Sequence, residues 1–137
     1  FLSPNADFIQ SAELNDTGFV ALLNSRGLKV LLTADIGFNV EQYLVYAEQS
    51  RSIDIKADIL KVGHHGSKFS SSDTFLSAVQ PKVAVIEVGE RNRYGHPTKE
   101  TLGRLASSTS AKVFRTDQNG TVTVVIDGSK LKVFTEK

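Results

Sequence analysis

Apolar runs of strand length alternate with amphipathic segments along most of the chain, and the central runs end in polar loops. Residues 28–34 (LKVLLTA) are apolar nearly throughout, which is typical of a strand covered on both faces. Residues 57–62 and 82–88 are two further strands that run directly into polar or glycine-rich sequence. This alternation predicts a layered α/β fold, in which ligand and catalytic groups collect beyond the strand ends.

Turn and capping residues divide the remaining sequence into further elements. Residues 17–24 and 28–34 are separated only by Ser25-Arg26-Gly27, so we expect an antiparallel hairpin there. The predicted helices cover residues 39–50 with Asn39 as N-cap, 74–79, and 98–107 beginning at Pro97 or Thr98. The last predicted strands cover residues 112–116 and 120–126 around a turn at 117–120, and 130–135 after Asp127-Gly128. The predicted order is ββαβαβαβββ in a single domain.

Charge and cysteine content exclude several classes of protein. The 16 basic and 15 acidic side chains leave a formal net charge of +1, so no global field attracts a nucleic acid or a membrane. Because the chain has no cysteine, a disulfide framework and a thiolate metal site are excluded, and His, Asp and Glu remain as metal ligands. No apolar run approaches the roughly 18 to 20 residues that span a bilayer. We therefore expect a soluble piece of protein.

The strongest local signal is the segment Gly63-His64-His65-Gly66-Ser67-Lys68, which follows a predicted strand. Two imidazoles beside glycines that allow close backbone approach, followed by a hydroxyl and an ammonium group, favour a metal site, a phosphate site or both. The alternative is a surface loop with two incidental histidines. Since two of the only three histidines lie side by side at a strand end, we favour the functional interpretation.

A carboxylate, Asp35, ends the apolar strand over residues 28–34. In that position it can bridge two cations, which offset the cost of desolvating its charge. Taken alone, an aspartate here more often caps the following helix or starts a turn. Asp35 is therefore a candidate metal ligand only in combination with other residues.

A third polar loop, Arg91-Asn92-Arg93-Tyr94-Gly95-His96-Pro97, follows the strand over residues 82–88. The loop constrains His96 between a glycine and a proline, and its two arginines can bind phosphate oxygens in a bidentate manner. The alternative is a solvated basic loop with Tyr94 packed onto the core. All three polar loops follow core strands, so they could converge on one site.

Together, these segments resemble the metallo-β-lactamase superfamily, and specifically the extracytoplasmic nuclease-like domain of ComEC-type competence proteins. The resemblance is carried by LKVLLTADI, ADILKVGHHGSKFSSSDTFLSAVQPKVAVIEVG, RNRYGHP and VFRTDQNGTVTV, in that order. It covers the chain from Asn15 to about Val125 and implies an α/β fold of the αββα sandwich type, of which this chain supplies the C-terminal half. The prediction is accordingly one partial metallo-β-lactamase-like domain over residues 1–137.

The resemblance implies roles for individual residues. Asp35 occupies the position of an aspartate that bridges two divalent metals, although Ala34 replaces the usual glycine. His96 is the best match to the last metal-binding histidine. His64 or His65 would be the catalytic proton donor or a substrate ligand, and either one could instead be the metal ligand. The residues that would contact substrate phosphate are Ser67, Lys68, Arg91 and Arg93.

One part of the family pattern is absent from the chain. The motif HxHxDH supplies most ligands for both metals, lies far upstream of the aspartate strand, and does not occur here. The resemblance implies two divalent ions, zinc or manganese, in the complete domain, whereas this chain alone is expected to bind fewer or none and to be inactive or feeble. Because the chain begins at Phe1 and has no methionine, we expect a piece of a longer protein. Half a sandwich exposes an apolar sheet face, so we also expect homo-oligomers, domain swapping or aggregation.

The function implied by the resemblance is metal-dependent hydrolysis of DNA phosphodiester bonds during DNA uptake. The partners would be DNA and the membrane channel portion of the same parent protein, and the domain would lie on the extracytoplasmic side of the membrane. One alternative is a noncatalytic module that binds DNA or phosphate, or packs against the channel, without metal. Another is a metallo-hydrolase of a different substrate, such as a phosphocholine ester, a lactam or a thioester. Lys68, Arg91 and Arg93 favour phosphate over a neutral lactam.

Overall fold

The computed structural model describes residues 1–4, 14–127 and 130–137. Its strands are β1 (Ala21–Ser25), β2 (Leu28–Leu32), β3 (Ile59–Lys61), β4 (Val83–Ile86), β5 (Lys112–Arg115), β6 (Val122–Asp127) and β7 (Lys130–Thr135). Its helices are α1 (Phe38–Gln49), α2 (Asp73–Val79), α3 (Lys99–Ser108) and the single turn α4 (Thr116–Asn119), with 3₁₀ turns at Leu14–Thr17 and Gly63–Gly66. The predicted alternation of strands and helices is confirmed, and the fold is mixed α/β.

Five strands form one sheet in the order β1-β2-β3-β4-β5. Strands β2 to β5 run parallel, and β1 is antiparallel to β2. The predicted hairpin is confirmed, because Ala21 lies opposite Leu32 and Ser25 lies opposite Leu28. Its turn contains Arg26 at φ 51° and Gly27 at φ 83°, and two central residues with positive φ match the twist of the flanking strands.

The C-terminal strands pair differently from the prediction, which placed a turn between two neighbouring strands. Strand β5 instead joins β4 in parallel, whereas β6 pairs with β7 in a separate antiparallel hairpin. Between them, the predicted turn is the helical turn α4, in which the N–H of Gly120 donates to the carbonyl oxygen of Thr116 at 3.0 Å. Turn-forming residues indicate where a chain bends, but they do not indicate which strands the two flanking segments pair with. Gly128, predicted to turn before the last strand, lies outside the described residues.

The beginning of helix α1 also differs from the prediction. Gly37 is the N-cap rather than Asn39, and no side chain accepts a capping hydrogen bond there. The Asn39 amide instead donates to Oδ2 of Asp16 at 3.3 Å. Asp35 does not cap this helix either. At α3 the prediction is confirmed, since Thr98 Oγ1 accepts from the N–H of Thr101 at 3.4 Å.

The main hydrophobic core lies between the helices and one face of the sheet. Leu31, Leu60 and Ala84 lie side by side on neighbouring strands of this face and are fully buried. The helix residues in the same cluster are Val40, Leu44, Phe75, Leu76, Val79 and Leu105. Burial of each large side chain contributes about 1.5–3 kcal/mol, so this face holds the strand ends in fixed positions.

The opposite face of the sheet is apolar and partly covered. Ile59 and Val83 are neighbours on this face and are 6% and 3% exposed, yet they lie outside the helix-side cluster. Leu23, near the sheet edge, is 51% exposed. Ile126 and Leu131 of the β6–β7 hairpin line a cleft together with β2, so the hairpin lies near this face. In the described residues, the apolar face expected of a half sandwich is therefore closed at its centre and open at its β1 edge.

A buried carboxylate connects α1 to the loop after β3. Glu41 is 1% exposed, and its carboxylate accepts hydrogen bonds from the N–H groups of Ser71 and, at 2.8 Å, Ser72. Burial raises the pKa of Glu41, while the hydrogen bonds from Ser72 and Ser71 and the charge of Arg104 oppose that rise. The carboxylate thus satisfies two backbone donors that the buried loop cannot pair otherwise.

Replacing Glu41 by glutamine is expected to reduce the free energy of unfolding by about 1–3 kcal/mol, because the amide group turns one acceptor into a donor that faces a backbone N–H. Urea unfolding of the 137-residue chain at neutral pH measures the change. Glu136→Gln is the matched control, since Glu136 is an exposed residue at the end of the chain. Equal stability of Glu41→Gln and Glu136→Gln would show that the two hydrogen bonds are not stabilising.

Candidate functional site

The polar loops after β2, β3 and β4 meet at one edge of the sheet. Nε2 of His65 lies 3.5 Å from Oδ1 of Asp35, and the ring centroids of His64 and His96 are 5.8 Å apart in an edge-to-face arrangement. These loops follow three adjacent parallel strands, whose carboxyl ends lie at the same edge. The structure therefore brings together all four predicted metal and catalytic residues.

The backbone of the His64-His65 segment is left-handed, a conformation that residues other than glycine rarely adopt. The φ values are 48° at His64, 53° at His65 and 80° at Gly66. The N–H of His64 donates to the carbonyl oxygen of Ala34 at 3.0 Å, which connects this loop to the loop after β2. Left-handed residues other than glycine cost roughly 1–3 kcal/mol each and persist where the surroundings enforce them, often at functional sites.

His65 bridges two neighbouring loops. Its Nδ1 lies 2.6 Å from the carbonyl oxygen of Glu87, and because a carbonyl oxygen can only accept, Nδ1 carries the proton. In the neutral imidazole, Nε2 therefore presents a lone pair toward the carboxylate of Asp35. In this tautomer Nε2 and the carboxylate both offer lone pairs to the space between them, so a cation placed there would contact both atoms.

His96 is held by its own loop. The side chain of Asn92 accepts from the His96 N–H and donates to the His96 carbonyl oxygen, both at 2.9 Å. Nδ1 of His96 is buried and has no hydrogen-bond partner among the described residues. Burial lowers the pKa of His96, the charges of His64 and His65 lower it further, and Asp35 opposes them. His96 is therefore neutral over a wider pH range than a free histidine.

The loops after β3 and β4 touch at Gly66. A Cβ atom at this position would lie 2.5 Å from Cβ of Pro97, and the N–H of Thr98 donates to the Gly66 carbonyl oxygen at 2.9 Å. Only glycine fits this combination of positive φ and close approach. The contact fixes the His64-His65 segment against the loop that carries His96.

The candidate phosphate-binding residues are placed in two different ways. Lys68, Arg91 and Arg93 are exposed, and Lys68 Nζ lies 5.0 Å from the ring centroid of Phe69. Ser67 is 3% exposed, and its hydroxyl accepts from the N–H of Phe69 at 3.3 Å. Its carbonyl oxygen accepts from the Thr101 hydroxyl at 2.7 Å. The Ser67 side chain thus faces the chain itself rather than solvent.

Several positioning residues lie outside the motifs that drew attention in the sequence. Arg104 of α3 donates to the carbonyl oxygens of Lys68, Ser70 and Ser71 at 2.8–2.9 Å. Together with Glu41, it fixes the loop over residues 67–72, which we call the serine-rich loop. Arginine at a helix surface is common, so the sequence offered no signal for this role. Asn92 lay within a motif, but its sequence position alone did not show that it holds His96.

The donor atoms at this edge suit a divalent cation in part. A carboxylate faces an imidazole nitrogen, and a second imidazole nitrogen is buried without a partner. However, no three His, Asp or Glu residues form a metal-binding group within the described part of the chain. These side chains are an incomplete ligand set, and a catalytic zinc normally needs three protein ligands.

The packing at Gly66 leads to a testable prediction. Gly66→Ala is expected to lower the free energy of unfolding by more than about 1 kcal/mol, because φ is positive and the methyl group would overlap Pro97. Gly103→Ala is the matched control: Gly103 lies inside α3, where an added methyl group would have no neighbour within 4 Å, so alanine should stabilise by about 0.5–1 kcal/mol. Urea unfolding of both variants measures the difference. A Gly66→Ala chain as stable as the original would contradict the close contact.

The pKa of His96 leads to a second prediction. Because its pKa in the folded chain lies below 6.5, the unfolded state binds the proton more readily, and stability falls as the pH drops below that value toward the folded pKa. Urea midpoints measured in chelating buffer at about pH 5.5 and 7.5 should differ more for the original chain than for His96→Asn. An equal pH dependence in both chains would show that His96 titrates normally.

The sequence of this chain is similar to segments of known proteins. The chain is 41% identical over 121 residues to ComE operon protein 3 of Bacillus subtilis, with 88% of this chain covered. It is 34% identical over 119 residues to competence protein ComA of Neisseria gonorrhoeae, covering 83% of this chain. It is 36% identical over 119 residues to recombination protein 2 of Haemophilus influenzae, covering 87%. The chain is related to competence proteins.

The relationship concerns one segment of those proteins. The aligned region spans 15%, 17% and 14% of the length of these three relatives, in the same order. No family model matches the chain, and no solved structure matches it. Across residues 1–4, 14–127 and 130–137, no helix has the length and apolar character that crossing a bilayer requires.

Proposed function

We propose that this chain is the C-terminal half of a metallo-β-lactamase-like domain of a ComEC-type competence protein, and that the complete domain hydrolyses phosphodiester bonds of DNA during its uptake. The observation that carries the proposal is the meeting of Asp35, His64, His65 and His96 at the ends of three parallel strands. The similarity to competence proteins supports DNA as the substrate. The domain would lie on the extracytoplasmic side, next to the membrane channel portion of the same protein.

In this proposal the incomplete ligand set would be one part of a metal site, and residues outside this chain would supply the other ligands. Asp35 and His65 turn acceptor atoms toward each other, so they would hold metal. A pair of zinc or manganese ions bound there would supply a hydroxide at neutral pH and neutralise phosphate charge. His96, the sequence-based candidate, would contribute its unpaired Nδ1 to the same site or to the substrate.

The remaining groups have roles that their surroundings favour. His64 lies beside His96 and is free of the Asp35 contact, which suits a proton donor to the leaving oxygen. The exposed cations Lys68, Arg91 and Arg93 would neutralise the phosphates of the bound strand. Ser67, whose hydroxyl is buried, would position the loop rather than contact phosphate.

The test is Asp35→Asn in the full-length protein that contains this segment. Hydrolysis of a labelled linear DNA strand is expected to fall by more than about 100-fold, because even substitutions behind metal ligands cost about 10- to 100-fold. Uptake of DNA by cells that carry the variant is expected to fall as well. Asp127→Asn is the control, since Asp127 is exposed on the β6–β7 hairpin and forms an ion pair with Lys132.

Two results would count against the proposal. If Asp35→Asn still hydrolyses DNA, the Asp35 carboxylate is not a metal ligand. An original protein that binds the DNA strand but does not hydrolyse it with zinc or manganese would favour the noncatalytic phosphate-binding module instead.

A further inference from the structure

An exposed aromatic ring stands beside the histidine cluster. Tyr94 is 84% exposed, whereas the sequence alone left open that it packs onto the core. Its ring is stacked on that of His96, with an interplanar angle of 19° and centroids 6.1 Å apart. His96 in turn meets His64 edge-on. The three rings form a row that leads from solvent to the candidate catalytic histidine.

A small apolar cleft lies along this row. It has a volume of about 210 Å³ and is lined by His65, Val88, Gly89, Asn92, Tyr94 and His96. The surface inside the cleft is mainly apolar, although histidines form two of its sides. A planar, weakly polar group fits such a cleft better than a phosphate does.

The backbone beside Tyr94 is held by its neighbours, and the ring itself lies against His96. Asn92 binds both backbone groups of His96, and Gly95, at φ 69°, makes the bend between the two rings. An aromatic ring that is already oriented loses little conformational entropy on binding. Its exposure therefore suits recognition better than it suits stability, because an exposed ring contributes little to the core.

Resting on the proposed function, we propose that Tyr94 stacks an unpaired nucleobase of the strand whose phosphodiester lies at the histidine cluster. The substrate class would accordingly be single-stranded DNA. Aromatic side chains bind successive bases in this way because every base has a π face. Arg91 and Arg93 are exposed on the same loop, so the phosphates that flank the stacked base would meet positive charge. A paired base inside a duplex has both faces covered by its neighbours and could not reach the ring.

The experiment measures DNA binding by the full-length protein in chelating buffer, where no turnover occurs. The probes are a fluorescein-labelled oligothymidylate of about 12 nucleotides and an abasic sugar-phosphate oligomer of the same length. Tyr94→Ala is expected to weaken binding of oligothymidylate about tenfold and to leave binding of the abasic oligomer unchanged. Tyr94→Phe retains the ring and should bind within about twofold of the original protein. Tyr46→Ala, which removes another exposed tyrosine on α1, is the matched control.

Each other outcome overturns the inference. If Tyr94→Ala weakens both probes equally, or neither, the ring does not recognise a base. If a duplex of the same length binds the original protein as tightly as the single strand, the substrate class is wrong. Failure of the proposed function is separate, because it appears as hydrolysis that survives in Asp35→Asn, whereas the Tyr94 result depends only on binding.

Discussion

The contact between Gly66 and Pro97 is the constraint on which the geometry of the site depends. The strands bring three loops to one edge of the sheet, but strand pairing alone leaves the loops free to diverge. At Gly66 the backbone approaches Pro97 more closely than any side chain would allow. This approach holds the His64-His65 segment, with its left-handed backbone, against the loop that carries His96. The edge-to-face contact of His64 and His96 follows from it.

A buried carboxylate and a partly buried guanidinium behind the loops provide a second level of support. Glu41 and Arg104 bind the serine-rich loop from opposite sides, the carboxylate through N–H groups and the guanidinium through carbonyl oxygens. Burying the Glu41 charge without partners would cost several kcal/mol. Here the partners are backbone groups that also need to be satisfied. The same hydrogen bonds therefore offset the desolvation of the side-chain charge and that of the backbone groups, and they fix the conformation of the loop.

Much of the fold could be predicted from the sequence, because the apolar runs and the turn residues specify local structure. The β1–β2 hairpin and the cap at Thr98 were predictable for this reason. The position of β5 was not, since the signal at residues 117–120 marks a bend and carries no information about strand partners. The cap of α1 was not predictable either, because the helix begins after Gly37 and the Asn39 amide donates to a distant residue, Asp16.

The candidate site was predictable as a set of residues but not as a set of roles. Adjacent histidines and a strand-end aspartate drew attention by their chemistry, and the structure brings them together. Which nitrogen of His65 carries the proton depends on the backbone carbonyl of Glu87, and a backbone group has no signature in the sequence. The burial of Ser67 and the exposure of Tyr94 depend on how the loops pack. Sequence patterns do not contain that information.

Only one of the two faces of the sheet supports the loops of the candidate site. The helix-side core holds the strand ends and the loops of the site, whereas the β6–β7 hairpin makes most of its contacts within itself. A protein with this division has two regions of unequal local stability. Local opening of the hairpin would leave the helix-side core behind the histidine cluster intact. Variation in its outward residues Val125 and Phe134 can therefore adapt the surface to different neighbours without disturbing the site.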